Sequence, residues 1–414
     1  MFSSRVPAGR TVNRLSRMYE RLRSQGVDVT DLTESNPTRV GLLYPPGLLD
    51  ALAAPEGMRY EPSPRGLPQA RKAVASRLSH APHERCSHVA TKLAESTARR
   101  GTCESRQIDP DRVALTASTS EAYACLFKLL CDPGDHVLVP QPSYPLLEHL
   151  ARFEGVEPVP YPLSYHGTWR IDLPALAEAA GSRARAIIVV NPNNPTGSFL
   201  APEDHDAVTT ICRERSLRLI VDEVFNGYPI DPLPGSARSV LSASAEVLTF
   251  VLGGLSKAVG LPQLKLAWIA VDGPDDEVEP ALDALDLMLD AYLSVSTPVQ
   301  LAAERLLLAG TSVADQIRVR IAANHRELTR LVAEHPAAGL LGTEGGWYAV
   351  VQVPATKSEE ALALELLEQD HVLVHPGYFF DFLREAFLVM SLLPEPERFA
   401  AAIERVLARA AGTP

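Results

Sequence analysis

The chain has 414 residues, a formal charge of −12, 46% hydrophobic and 22% charged residues. This is ordinary globular composition, long enough for a large domain plus a smaller one, each with its own core. The acidic balance argues against nucleic acid, whose phosphates need a basic face, but leaves room for small anionic ligands held at a local positive site. Five cysteines, an odd number with no C-x-x-C pair, argue against a disulfide framework or a zinc site and fit a reducing compartment, here expected to be the cytoplasm. No apolar run reaches transmembrane length and no signal-peptide core stands at the N-terminus. The arginines ahead of Glu20 suit either the solvated face of a helix or an organelle transit peptide.

In chain order, a helical period covers about 12–26, with Leu15, Met18, Tyr19 and Leu22 on one face. A Pro- and Gly-rich stretch follows through Gly66. Residues 81–107 are polar, hold Cys86 and Cys103, show no clean period and read as an insertion or flexible loop. From Arg112 the texture changes. Short apolar runs recur at 113–115, 136–139, 186–190, 217–221, 248–252 and 266–271, mostly with helical stretches between them. Runs apolar on both faces and alternating with helices predict a mostly parallel α/β sheet with helices on both faces. After Thr297-Pro298 a long amphipathic helix is expected over 299–332. Strands near 347–353, 372–375 and 387–392, a helix over 359–369 and a last helix complete a smaller α+β unit. The division expected is an N-terminal segment 1–49 packing on the small domain, a large domain 50–297 and a small domain 298–414.

Three strand ends carry chemistry. Asn191-Pro192-Asn193-Asn194-Pro195-Thr196-Gly197 follows the run 186–190. Asn, Pro and Gly are turn residues, but ligands in open α/β sheets bind where strands end. Asp222, in Asp222-Glu223-Val224, ends the next run; alone it suits a metal, a base, a partner for a cationic ring nitrogen, or a helix cap. Lys257, after Ser256 and the run 248–252, is one of six lysines in the chain and lies in glycine-rich, apolar surroundings. Burial lowers a lysine pKa and frees the amine to attack a carbonyl, whereas a snorkelling surface lysine is the bland alternative.

In that order, N-P-x-N-P-T-G, D-E-V and S-K resemble the pyridoxal 5'-phosphate (PLP) enzymes of the aspartate aminotransferase superfamily, fold type I, over nearly the whole chain. The resemblance implies an aldimine between PLP and Lys257, Asp222 against the pyridine nitrogen and Asn194 on the ring oxygen. Tyr144 stacks on the ring. Ser118, Thr119, Ser120, Ser256 and Lys265 surround the phosphate, where a strand gives way to a helix. It also implies a homodimer with shared sites, Tyr60 reaching the neighbouring subunit's phosphate. The implied activity is transfer of an amino group between an amino acid and a 2-oxo acid. Elimination, decarboxylation or cyclisation on the same scaffold remains the alternative.

Four positions depart from the pattern. Lys265 replaces an arginine on the phosphate, Gly254 a serine, and Phe225 a tyrosine that donates to the ring oxygen. Val389 stands where the family's carboxylate-binding arginine is expected, and valine cannot bind a carboxylate. Arg384, by a shifted alignment, or Arg39, in the segment with Asn36 that lies over the substrate, is the substitute; we favour Arg39. Asp290-Ala291-Tyr292-Leu293 offers no second cation for a dicarboxylate. Trp347, Tyr348, Tyr378, Phe379 and Phe380 make an aromatic wall or simply core. The expected substrates are neutral or aromatic amino acids.

Overall fold

The computed structural model describes residues 3, 5–6, 12–79, 106–233, 235–236, 239–242 and 245–412. The expected insertion at 81–107, apart from its last two residues, lies outside them. The chain begins with α1 (Arg14–Ser24), the short strand β1 (Thr30–Asp31) and α2 (Pro68–Ser79). Asn13 caps α1 by accepting a hydrogen bond from Ser16 N at 2.7 Å.

The apolar runs from Val113 onward form the large sheet. Its strands are β2 (Val113–Thr116), β3 (His136–Gln141), β4 (Glu157–Tyr165), β5 (Trp169–Ile171), β6 (Ala184–Val190), β7 (Arg218–Asp222), β8 (Thr249–Gly254) and β9 (Ala267–Asp272). Their spatial order is β2-β9-β8-β7-β6-β3-β4-β5. The five strands from β8 to β4 run parallel; β5 is antiparallel to β4 at one end, while at the other β9 runs antiparallel to β8 and β2, antiparallel to β9, points the same way as the five. Helices make the parallel crossovers possible. They are α3 (Thr119–Leu130), α4 (Leu146–Phe153), α5 (Leu173–Ala179) and α6 (Pro202–Arg215); the one-turn α7 (Leu255–Ala258) lies between the antiparallel β8 and β9, and α8 (Asp275–Tyr292) follows β9.

Both faces of the central strands β6 to β9 are buried, which is why those strands lack a polar side. Alternate residues serve different cores. Ile188, Ile220 and Phe250 pack against Leu126 of α3, Leu147 of α4 and Leu285 of α8. Ile187, Val189, Leu219 and Val251 face the opposite core with Val208 of α6.

Sequence pattern missed β4 and β5. Pro158, Pro160 and Pro162 argue against a strand, since proline cannot donate to a ladder. Here they share one parity. Asp172 N donates to the Pro162 carbonyl on the side away from β3, so the missing donors all point away from the β3 partner.

The second sheet is antiparallel. It comprises β10 (Gly339–Leu340), β11 (Tyr348–Gln352), β13 (His375–Pro376) and β14 (Phe387–Ser391), in the order β10-β11-β14-β13. The short strand β12 (Val372–Leu373) instead pairs in parallel with β1, and Ser391 N donates to Leu32 O at 2.6 Å, so the N-terminal segment is stitched to this sheet. The long helix expected over 299–332 is two helices, α9 (Thr297–Ala309) and α10 (Thr311–Ala333), divided at Gly310. A side chain at 310 would come within 2.6 Å of Val259, so the break lets the helix pair approach the segment after α7. Helices α11 (Glu359–Gln369) and α12 (Pro396–Ala410) complete the unit.

The turn after β6 is pinned to the approach to β11. Gly197 has φ +72°, and a Cβ there would lie 2.5 Å from the Gly345 carbonyl oxygen. Gly345 N donates to Gly197 O at 2.9 Å. We expect Gly197→Ala to cost roughly 2–4 kcal/mol, from left-handed backbone and a contact with unyielding backbone together. Urea unfolding measures this; a loss under about 1 kcal/mol would remove the close approach from the account.

Candidate active site

Five strand ends of the large sheet, after β2, β3, β6, β7 and β8, open on one cavity of about 330 Å³. Ser118, Thr119, Ser120, Tyr144, Asn194, Asp222, Ser256, Lys257 and Lys265 all line it. Nine residues spread over nearly 150 positions thus meet because parallel strands deliver their C-terminal ends to one edge.

Lys257 is half-buried, its Nζ largely desolvated at the cavity wall. It donates to Ser35 O at 3.4 Å and lies 4.5 Å from the Trp347 ring centroid and 5.2 Å from that of Phe225. Burial lowers its pKa to about 8, against the opposing pull of Asp222 and Glu34. A substantial share of the amine is therefore neutral near physiological pH. Asp222 is buried. Its Oδ1 accepts from Val224 N and its Oδ2 from the Tyr123 hydroxyl, each at 3.1 Å. Burial pushes its carboxyl up to about 6, and those two donors together with Lys257 hold it down.

The Asn194 turn is braced by its neighbours. Asn191 Oδ1 accepts from Leu200 N at 2.9 Å, and Asn193 Nδ2 donates to Pro142 O and Thr196 Oγ1. Asn194 Oδ1 itself is buried without a partner. At the other end, Ser118 caps α3, its Oγ accepting from Glu121 N at 3.2 Å. Thr119 and Ser120 form the first turn, where backbone N–H groups and the helix dipole favour an anion. Lys265 and Ser256 line the cavity as well.

The remaining expected residues lie elsewhere. Tyr60 is 76% exposed and lines a separate cleft with Leu293 and Val295. Arg39 is exposed and does not line the cavity; its Nη1 is 3.9 Å from Glu34 Oε2. Asn36 caps the short turn Pro37–Arg39, its Oδ1 accepting from Thr38 N at 3.0 Å. Trp347 is fully buried beneath Lys257 between Phe225 and Tyr228, so it is floor rather than wall. Tyr348 does line the cavity, whereas Phe380 packs in the core and Tyr378 is partly exposed. Val389 is wholly buried, paired with Val350 and His375. Arg384 lies exposed just before β14.

Sequence reading missed Tyr123 and Ser35. Tyr123 is four residues beyond Thr119 in α3, so a helical period from the cavity-facing Thr119 points to it. Ser35 contributes a backbone carbonyl, which no side-chain pattern signals.

The chain matches the family model for aminotransferase class I and II over residues 58–406. The chain belongs to that family. An alanine aminotransferase of Mycobacterium tuberculosis is 27% identical over 394 residues, covering 93% of this chain and 86% of that one. A glutamate-pyruvate aminotransferase of Haemophilus influenzae is 26% identical over 294 residues, covering 69% and 72%. The solved alanine aminotransferase from Pyrococcus furiosus superposes with a TM-score of 0.85 at 25% identity, over 99% of both chains. The protein is an aminotransferase of PLP fold type I, and the family's cofactor is PLP. The cavity suits that group. A buried carboxylate can meet a pyridinium, a partly neutral lysine an aldehyde, and a helix start with hydroxyls and Lys265 a phosphate. Among the described residues no helix is long and apolar enough to cross a membrane.

Because the Asp222 pKa of about 6 exceeds the ordinary value near 4, the folded cofactor-free chain holds that proton more tightly than the unfolded chain. Its ionised form is penalised, so this group's contribution falls as pH rises from about 4 through 6. Asp222→Asn removes the penalty. Its cofactor-free form should melt above wild type at about pH 8, with the gain absent near pH 4. A lower melting temperature at the higher pH contradicts the assignment.

Proposed function

We propose that this aminotransferase moves the amino group of a neutral or aromatic amino acid to a 2-oxo acid, with Lys257 as the amine that binds PLP and as the base. The observation that carries the reading is the desolvated Lys257 amine, sharing one cavity with Asp222 and with the hydroxyl-rich start of α3. PLP, once bound, supplies an aldehyde for the amino group and a ring that draws electrons from the substrate's Cα. Asp222 holds the ring nitrogen in its protonated form, and Tyr123 keeps the Asp222 carboxylate ionised and oriented. Asn194 binds the ring oxygen and Tyr144 covers the ring face. Ser118, Thr119, Ser120, Ser256 and Lys265 bind the phosphate; lysine acts there as a point charge. Lys257 Nζ would take the proton from the substrate Cα and deliver it to the carbon that was the cofactor's aldehyde, a task suited to a pKa near 8.

The lining favours an uncharged side chain. Tyr144, Leu146, Leu150, Phe225 and Tyr348 contribute aromatic and aliphatic surface, and among the described lining residues the cations are Lys257 and Lys265. The name of the alanine aminotransferase relative agrees with a small neutral amino acid, while that of the glutamate-pyruvate relative also names the acidic glutamate. Arg39, carried on the turn that Asn36 caps, binds the substrate carboxylate from the N-terminal segment. The chain works as a homodimer in the cytoplasm, Tyr60 of each subunit serving the other's phosphate. Residues 50–297 act as the cofactor-binding domain and 298–414, with 1–49, as the smaller one.

Two experiments test this. Borohydride reduction of the holoenzyme should leave a pyridoxyl label on Lys257, and donor amino acid alone should bleach the cofactor's long-wavelength band; no label on Lys257 ends the reading. Arg39→Ala should raise the KM for the donor by roughly tenfold or more, the loss of a charge-assisted hydrogen bond, with cofactor absorbance intact. An unchanged KM removes Arg39 from the site.

A further inference from the structure

Lys257 sits in α7, a helix of a single turn. Such a helix leaves its last carbonyls without intrahelical partners. Side chains from three distant parts of the sequence supply donors to this turn and its exit. Tyr228 Oη donates to the Lys257 carbonyl, Arg77 Nη2 to the Ala258 carbonyl at 3.0 Å, and Tyr44 Oη to the Gly260 carbonyl at 2.7 Å.

Tyr228 does more than cap. Its ring meets Trp347 edge to face at 5.1 Å between centroids, and the same indole lies 4.5 Å from Lys257 Nζ. One residue therefore fixes both the backbone from which the Lys257 side chain springs and the aromatic surface on which its amine rests. Tyr228 is itself held. It is 1% exposed, Arg318 lies 5.8 Å above its ring, and Arg318 Nε donates to the adjacent Gly227 carbonyl at 2.9 Å. Burial keeps its phenol protonated well beyond the ordinary range, so the donor persists across working pH.

We propose that Tyr228 is a positioning residue for amino transfer: its hydroxyl on the Lys257 carbonyl and its ring against Trp347 set where the Lys257 amine stands. The proposal rests on the reading of Lys257 as the reacting amine. Removing the hydroxyl leaves a buried carbonyl unpaired and frees the turn to shift. A small displacement of a reacting group is costly to turnover, while substrate contacts made elsewhere in the cavity are untouched.

The test compares holoenzymes of wild type, Tyr228→Phe and Tyr161→Phe. Tyr161 is an equally buried tyrosine whose hydroxyl donates to the Ile188 carbonyl at 2.7 Å between β4 and β6, away from the Lys257 turn. Tyr228→Phe should move the pH midpoint of the bound cofactor's absorbance by about half a unit or more. Its kcat should fall about tenfold with KM within about twofold of wild type. Tyr161→Phe should lose comparable thermal stability and keep the wild-type midpoint and kcat. If Tyr228→Phe instead matches Tyr161→Phe, melting lower with midpoint and kcat unmoved, Tyr228 is structural only and the proposal falls. Should Tyr228→Phe not fold, Arg318→Lys, which loosens Gly227 and Tyr228 without touching the Lys257 turn, is titrated in the same way. A midpoint displaced from wild type supports the proposal and an unmoved one overturns it. Borohydride labelling of wild type runs alongside. Lys257 unlabelled defeats the parent reading and this one with it; Lys257 labelled with an unmoved midpoint defeats this one alone.

Discussion

The Lys257 amine is largely desolvated, and much of the site's design follows from that. An ammonium in such a place needs compensation, and the chain offers it sparingly: one backbone carbonyl from Ser35, two aromatic faces, and the charges of Asp222 and Glu34. Together these are too weak to keep the pKa at its ordinary value, so the amine becomes partly neutral. A more generous set of partners would bind the ammonium better and disable it as a nucleophile. The same burial acts on Asp222 in the opposite sense, raising its pKa, and there the chain spends hydrogen bonds from Tyr123 and Val224 to keep a carboxylate available. Desolvation is thus common to both groups, and the difference in their partners decides which is left reactive and which is left charged.

The sheet makes this arrangement possible. Strands buried on both faces are fixed in register by two cores, so their ends arrive at defined points. The turn after β6 is then locked by side chains that bond both to backbone and to one another. Rigid ends of this kind hold the site more closely than long loops would. The N-terminal segment reaches the same place by a different route. Its pairing with β12 and the bond from Ser391 Oγ to Glu34 O, at 2.7 Å, bring Ser35 over Lys257.

Much of this was legible in the sequence, for physical reasons. Doubly buried parallel strands read as plain apolar runs, and motifs at consecutive strand ends must converge once the strands are parallel. What stayed hidden depended on spatial neighbours. The prolines of β4 look like strand breakers until one knows which side of the strand is paired. The helix break at Gly310 reflects the approach of Val259, invisible to a helical period that continues on both sides. Trp347 read equally well as wall or core; its place under Lys257 follows from its contacts with Phe225 and Tyr228, fixed only by the tertiary fold.

The small sheet supplies no cation at position 389. Val389 is paired across the ladder with His375, and burial drives the His375 pKa down to about 4, so that imidazole is neutral at physiological pH. Neither residue can hold a carboxylate as a cation. The N-terminal segment is different. Its backbone is anchored by Arg320, which donates to Val40 O at 3.1 Å, while the Arg39 side chain extends into solvent. The contact of Arg39 with Glu34 is long and exposed, and such pairs contribute at most about 1 kcal/mol. An arginine on a fixed backbone with so weak a tie can leave it for a carboxylate ligand at little cost. A buried cation at 389 would instead have to be desolvated within the small sheet's apolar packing. With the proposed role of Arg39, the charge would stand at the solvent-facing edge of the N-terminal segment and the small sheet would be free to be core.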